Sequence, residues 1–193
     1  MPHTDTAYSI LDFLRRAENL KSTMRTTWTR SGRRESSAEH SWRLCLFAML
    51  ISRHYPELDA LKVLQLSIVH DLGEAIGGDI PAPEQTTVKT DQERHDIIDI
   101  VRPLDVKDQQ MVLALWEEYE GATSPEARLV KALDKLETIL QQAQGATPDS
   151  FDYAFNLHYG TRYTQLDDLI TEIRTAIDEE TQNCLLARNG ING

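Results

Sequence analysis

The stretch Leu61-Lys62-Val63-Leu64-Gln65-Leu66-Ser67-Ile68-Val69-His70-Asp71-Leu72-Gly73-Glu74 decides how this chain is read. Apolar residues recur through it at helical spacing, and Leu61, Leu64, Ile68 and Leu72 define the expected buried stripe. The spacing predicts one helix from about 59 to 76. It carries His70, Asp71 and, one turn beyond both, Glu74. Polar groups on such a helix need hydrogen bonds or an ion to offset their burial. Further donors for an ion stand elsewhere in the chain, at His40 and Asp134.

Outward from this segment the pattern stays helical. Ile10, Phe13, Leu14, Ala17 and Leu20 mark a first apolar stripe. A polar stretch follows, with Arg25, Arg30, Arg33, Arg34 and Trp28 in an otherwise acidic protein. Ser36-Ser37-Ala38-Glu39 fits a capping box, which places His40 in the first turn of a helix running to about residue 53, before Pro56. Gly77-Gly78-Asp79-Ile80-Pro81-Ala82-Pro83 cannot continue a helix and reads as a turn and rigid loop. Helical patterns resume over 91–101 and 107–119. Ser124-Pro125-Glu126 then opens another helix, with serine as cap and proline in the first turn, and with the stripe Leu129, Val130, Leu133, Leu136, Leu140. Leu166, Leu169, Ile170, Ile173 and Ile177 stripe the C-terminal region, as a completion of the core or a dimer surface. No strand-period alternation persists. The expectation is an all-α, single compact domain over 1–193, with a core at about 13–142 and C-terminal helices over 150–187.

The chain has 193 residues, 40% of them apolar, enough for one real core. Its formal charge of −11 argues against binding a nucleic acid polymer or an anionic membrane. It leaves room for a small anionic substrate, because a bound cation and one or two arginines set the local field. Cys45 and Cys184 have no CxxC partner, so disulfide and thiolate-zinc readings are weak. No apolar run approaches a membrane span and the first residues lack a signal peptide's blocks, so a soluble cytoplasmic protein is the default.

His40, His70, Asp71 and Asp134 come from three helices and form a mixed nitrogen and oxygen donor set. That set suits a divalent transition ion without choosing among manganese, cobalt, iron, zinc and magnesium. Asp134 lies within the stripe Val130-Leu133-Leu136, where an unpaired carboxylate would be costly. An ion held by four protein groups keeps positions for water and substrate, lowers the pKa of water and polarises a phosphoryl oxygen. Taken singly, each residue has a plainer reading: His40 as a packing histidine, Asp134 as a salt-bridge partner of Lys131 or Lys135, Glu74 as a solvated residue. Their order in the chain favours the joint site. His54, His95 and His158 have no partner at ligand spacing, and Trp116 and Tyr119 share a helix face that reads as core.

The segments Glu35-Ser36-Ser37-Ala38-Glu39-His40-Ser41-Trp42, His70-Asp71-Leu72-Gly73-Glu74 with Gly78-Asp79-Ile80-Pro81, and Leu129-Val130-Lys131-Ala132-Leu133-Asp134-Lys135 resemble the HD-domain metal-dependent phosphohydrolases. Within them the chain is most similar to the 5′-deoxynucleotidase branch, the HD-domain-containing protein 2 type. Leu115-Trp116-Glu117-Glu118-Tyr119-Glu120 and Leu20-Lys21, Arg25 and Trp28 share in that resemblance. It implies that His40, His70, Asp71 and Asp134 hold one divalent ion. By the same resemblance Glu74 positions or deprotonates the attacking water, and Asp79 contacts the sugar end or supports catalysis. Arg25 would engage phosphate and Trp28 would lie near the nucleotide. The resemblance also implies a homodimer and a small nucleotide substrate.

The chemistry of a phosphate monoester agrees, since it needs a nucleophilic water, neutralised oxygen charge and help for the leaving alkoxide. An arginine fork suits the phosphate and a nearby carboxylate suits the proton. Two alternatives remain at this point. One is hydrolysis of nucleoside triphosphates or alarmones, using Arg25, Arg30, Arg33 and Arg34. The other is a catalytically silent nucleotide-binding regulator, which would have no need of both Glu74 and Asp79. An oxygen-activating di-iron enzyme would need further histidines beside His70, and none stands at useful spacing.

Overall fold

The computed structural model describes residues 2–80 and 87–191, with side chains over 5–80 and 91–190. In chain order it comprises α1 (Pro2–Ala17), a 3-10 turn (Glu18–Lys21), β1 (Met24–Trp28), β2 (Arg34–Ser36), α2 (Ser37–Ile51), a second 3-10 turn (Ser52–His54) and α3 (Ala60–Val69). Then come α4 (Glu74–Gly77), α5 (Thr87–Val101), α6 (Val106–Gly121), α7 (Pro125–Gln144), α8 (Tyr153–Asn156) and α9 (Asp168–Ile191). The fold is all-α apart from one small antiparallel hairpin, β1 against β2, with Met24 opposite Ser36 and Trp28 opposite Arg34.

The hairpin corrects the expectation that the polar stretch holds no strand. Its inward positions are Arg25 and Thr27, both polar, so no apolar alternation announces it.

Helix starts follow local chemistry closely. Ser36 Oγ accepts from the Glu39 amide at 3.3 Å while the Glu39 carboxylate accepts from the Ser36 amide at 2.9 Å, closing the capping box that opens α2. Asp59 caps α3 through the amides of Leu61 and Lys62. Ser124 Oγ accepts from the Ala127 amide at 3.0 Å and Pro125 begins α7.

Helix α7 is the axis of the fold, packed by α2, α3, α6, α9 and β1. Leu133, Leu136 and Ile139 on it are fully buried, against Leu44 of α2, Leu66 of α3 and Ile170 of α9. Each such side chain contributes about 1.5–3 kcal/mol through burial. Ile170 and Ile177 therefore belong to the same core as α7, while Leu166 is exposed. A second cluster joins Val69, Leu72 and Ala75 to Ile97 and Ile100 of α5 and Trp116 of α6, clamping the segment after α3. Phe13, Ala17 and Leu20 join it, whereas Ile10 and Leu14 of the expected stripe are exposed.

Two expectations about α3 need correction. Its buried face is Val63, Leu66, Ser67 and Val69, while Leu61 is 65% and Ile68 59% exposed. The helix is apolar on more than one side, so spacing alone could not select the face. Nor does one helix run on to residue 76. After Val69 the amide bonds tighten to partners three residues back, from Leu72 to Val69 O, Glu74 to Asp71 O and Ala75 to Leu72 O. Gly78 ends α4 at φ +78°, a conformation that only glycine adopts at no steric cost. The Pro81-Ala82-Pro83 part of the expected rigid loop lies outside the described residues. Cys45 and Cys184 are free and half-buried. Among the described residues no helix is long and apolar enough to cross a membrane.

Candidate metal centre and cleft

Five elements deliver the site. The capping box sets where α2 begins, and so places His40 in its first turn, fully buried. His70 caps the C-terminal end of α3, Asp71 follows in the tightened turn, and Glu74 opens α4. Asp134 lies mid-way along α7, 4% exposed. Arg25 reaches in from β1.

The structure brings the four expected ligands together. His40 Nε2 is 3.2 Å from His70 Nε2 and 3.2 Å from Asp134 Oδ1. Asp71 Oδ2 is 3.1 Å from His70 Nε2 and 3.7 Å from His40 Nε2, and Asp134 Oδ1 is 4.0 Å from His70 Nε2. Bonds of about 2.1 Å to a shared ion would set neighbouring donors about 3.0–3.4 Å apart, so the cluster has the dimensions of a cation site.

The outer partners point the same way. His40 Nδ1 is bonded to Glu137, whose carboxylate also accepts from Arg43 Nε at 2.5 Å. His70 Nδ1 donates to Ser67 O at 2.9 Å. With both Nδ1 atoms committed as donors, the two Nε2 atoms are the ones that face the centre, where a bound cation would take the place of a proton. Asp134 Oδ2 accepts from Tyr119 at 2.6 Å and from Lys135 Nζ at 2.7 Å, which leaves Oδ1 for the histidines.

Electrostatics favour a cation here as well. Burial opposes the charge of Asp71, but His70 and Arg25 outweigh it and hold the carboxyl well below its usual range. Burial likewise works against Asp134, and Lys135 and His40 keep it ionised. At His40, burial and Arg25 disfavour protonation, yet Glu137 and Asp134 push its pKa up to about 10. The carboxylates thus attract positive charge to the place where the two imidazoles meet.

Glu74 and Asp79 stand beside this cluster. Glu74 is 7% exposed, accepts from Ser37 Oγ at 2.6 Å, and has its pKa raised well above the ordinary value by burial and by Asp71. It is a buried residue facing the site, contrary to the plain reading of a solvated helix end. Asp79 is half-buried on the same cleft. Arg25 is 8% exposed and donates to Asp71 Oδ2 at 2.9 Å and to Thr138 Oγ1 at 3.1 Å, while its Nε is buried without a hydrogen-bond partner. Trp28 is half-buried on the cleft wall, with its ring edge-to-face against Phe151 at 6.2 Å. Arg33 is tied to Glu39 and Arg34 to the carbonyls of Arg25 and Met24. His54, His95 and His158 are exposed.

The site roles of Glu137, Tyr119, Thr138 and Ser37 escaped the reading of the sequence, whereas Lys135 pairs with Asp134 as its plainer reading expected. Tyr119 is core as expected, and also the hydrogen-bond donor to Asp134. A signal existed on α7: Asp134, Glu137, Thr138 and Gln141 follow helical spacing and form a buried polar stripe that meets the hairpin. Glu35 carries a similar role, accepting from Thr27 Oγ1 at 2.8 Å behind His40.

The ligand cluster opens into a cleft of about 1150 Å³. Glu74, Asp79 and Arg25 line it, as do the aromatic side chains of Trp28, Phe151, Phe155 and Tyr159. A catalytic centre of this form can bind a divalent ion, place a carboxylate near a water and accommodate an organic phosphate.

Comparison with known proteins agrees with this architecture. The HD domain family matches residues 17–174. A protein from Dictyostelium discoideum called 5′-deoxynucleotidase HDDC2 is 35% identical over 141 residues, covering 68% of this chain and 74% of its own length. Its human counterpart of the same name is 37% identical over 144 residues, covering 72% and 69%. Among solved structures, a "Predicted metal-dependent phosphohydrolase" from Magnetospirillum magnetotacticum MS-1 has the same fold, with TM-score 0.77 over 96% of this chain and 97% of its own at 23% identity. A conserved hypothetical protein from Pyrococcus furiosus matches with TM-score 0.59 and 30% identity over 89% and 99% of the two chains.

Proposed function

The chain belongs to the HD domain family, and on that premise we propose that it is a metal-dependent phosphohydrolase, a 5′-deoxynucleotidase that releases phosphate from deoxyribonucleoside 5′-monophosphates. The observation that carries this reading is the convergence of His40, His70, Asp71 and Asp134 with both Nδ1 atoms already engaged. Those four residues hold the ion in this reading, and manganese and cobalt are the first ions to test.

When bound, the ion supplies a Lewis acid for the phosphoryl oxygen and a lowered pKa for the attacking water. The rest falls to side chains. Glu74 accepts the proton of the water, and its raised pKa suits it to take and pass on a proton. Ser37 holds the Glu74 carboxylate in place. Arg25, locked between Asp71 and Thr138, keeps a fixed positive charge beside the reacting phosphate. Asp79, on the same cleft, contacts the sugar end of the nucleotide or supports catalysis in this reading. Trp28 faces the nucleoside part.

Of the four loop arginines invoked for a triphosphate, Arg25 alone lies among the described residues lining the cleft. The whole chain acts as one domain in this reading, since Ile170 and Ile177 pack into the α7 core. The resemblance to the phosphohydrolase branch also supports a homodimer, which light scattering in solution would check.

The test is a panel of nucleoside mono-, di- and triphosphates assayed with several divalent ions. Inorganic phosphate released from deoxyribonucleoside monophosphates, and lost in both His70→Ala and Asp134→Ala, is the expected result. Undiminished turnover in those two variants refutes the assignment.

A further inference from the structure

Phe151, Phe155 and Tyr159 of the cleft lining come from chain that follows α7, and that segment is fastened at several points. Ala146 donates its amide to Thr29 O at 3.1 Å, joining the start of this segment to the hairpin. Asp152 caps α8 through the amides of Ala154 and Phe155. Asn156, 2% exposed, donates to Gln142 Oε1 of α7 at 2.9 Å. Arg174 of α9 donates to the carbonyls of Asn156, Leu157 and Tyr159. The segment is thereby fastened to three elements, and it presents its rings to the cleft from a fixed backbone.

Two of those rings form a stack. Phe155 and Tyr159 lie 5.5 Å apart between centroids with planes 27° apart. Lys135 Nζ sits 5.5 Å from the Tyr159 centroid and 2.7 Å from Asp134 Oδ2. A short path of contacts therefore runs from the metal ligand Asp134 through Lys135 and Tyr159 to Phe155. Both rings line the cleft, and Phe155 is the more open of the pair, 38% exposed against a half-buried Tyr159. What sets this ring apart from the chain's other exposed apolar side chains is its place on the cleft that holds the ligand cluster, beside a second ring in the same lining. It is well suited to a flat, electron-rich or electron-poor partner.

We propose that Phe155 is the platform on which the base of the substrate stacks, so that the segment following α7 determines recognition of the nucleoside. This rests on the reading of the chain as a nucleotide phosphohydrolase and extends it to the end of the substrate remote from the reacting bond. Base stacking on an aromatic face is tolerant of base identity, because every base has a π-face. Recognition here distinguishes phosphate esters that carry a base from those that carry none, and is permissive among the bases.

The experiment compares a deoxyribonucleoside 5′-monophosphate with 2-deoxyribose 5-phosphate, which keeps the sugar and phosphate and lacks the base. In Phe155→Ala the ratio of kcat/KM for the nucleotide to that for the sugar phosphate falls about tenfold, mainly through the KM of the nucleotide, the size of one lost base–aromatic stack. Phe155→Tyr, which keeps the ring, restores the ratio. A ratio unchanged in Phe155→Ala, or a loss shared equally by both substrates, overturns the proposal. Failure of the unsubstituted protein to hydrolyse any nucleoside monophosphate overturns the underlying reading and this one with it.

Discussion

Glu137 holds His40 from behind: its carboxylate accepts a hydrogen bond from Nδ1–H, and Arg43, one turn along α2 from His40, fastens that carboxylate in turn. Burial opposes the charge of Glu137, but His40 and Arg43 keep its pKa below the usual range, so it can only accept. The tautomer of His40 follows from this, and with it the direction of the Nε2 lone pair. One acid on α7 therefore decides what a histidine on α2 can do.

Glu137→Gln should consequently weaken divalent-ion binding by about 10–100-fold, the usual cost of losing an outer partner of a metal-bound histidine. Calorimetric titration of manganese or cobalt into the purified variant checks it. Affinity equal to that of the unsubstituted protein would show that Glu137 serves packing alone.

Glu74→Gln keeps the shape of the side chain and removes its ability to take a proton. The expected outcome is a fall in kcat of about 10²–10⁴-fold, the range of general acid–base contributions. Metal affinity should change little, because Glu74 bonds Ser37 and not the histidines. Steady-state kinetics and metal titration on the same preparation separate the two effects.

Gly145 allows the backbone after α7 to pass the hairpin at close range. A Cβ added there would lie 2.0 Å from Trp28 O and 2.9 Å from Gln141 O, both backbone atoms that cannot swing aside. Gly145→Ala should destabilise the fold by about 1–3 kcal/mol, the range for overpacking a tight site. It should also raise the KM for nucleotide, because the segment it anchors forms the aromatic wall. Thermal melting and kinetics read the two consequences.

The capping box predicts a pH dependence. Glu39 has its pKa lowered to about 2 by its bonds to Arg33 and Ser36. A depressed carboxylate stabilises the fold fully above its ordinary pKa of 4.5 and loses that contribution as pH falls toward 2. The difference in Tm between the unsubstituted protein and Glu39→Gln should thus be present at neutral pH, shrink below about pH 4.5 and vanish near pH 2. Because the Arg33 and Glu39 side chains are 54% and 44% exposed, added salt should also shrink it. A difference that stays constant from neutral pH to pH 2 would contradict the argument.

Several elements were legible before any coordinates. The starts at Ser36, Asp59 and Ser124 could be read because a cap acts within three residues. The approximate reach of α6 and α7 followed from periodicity. The hairpin was hidden because its inward side chains are polar, and the break after Val69 because apolar residues run on through Leu72 and Ala75 into a different cluster. Which side of α3 is buried was hidden too, since both sides are apolar.

What the sequence determined by itself was an all-α chain in which two histidines and two aspartates recur in the order of a metal-binding family, because helical periodicity and capping are local and residue order survives without coordinates. What only the tertiary structure decided was the orientation of those four groups: Glu137 and Ser67 engaging the two Nδ1 atoms, Tyr119 and Lys135 engaging one oxygen of Asp134, and the segment after Gly145 closing the far wall. Glu137 lies 97 residues from His40 and Tyr119 15 residues from Asp134, while Ser67 and Lys135 are near in sequence to the groups they touch. They meet only when packing around α7 removes water and leaves each buried polar group to find its partner inside the fold.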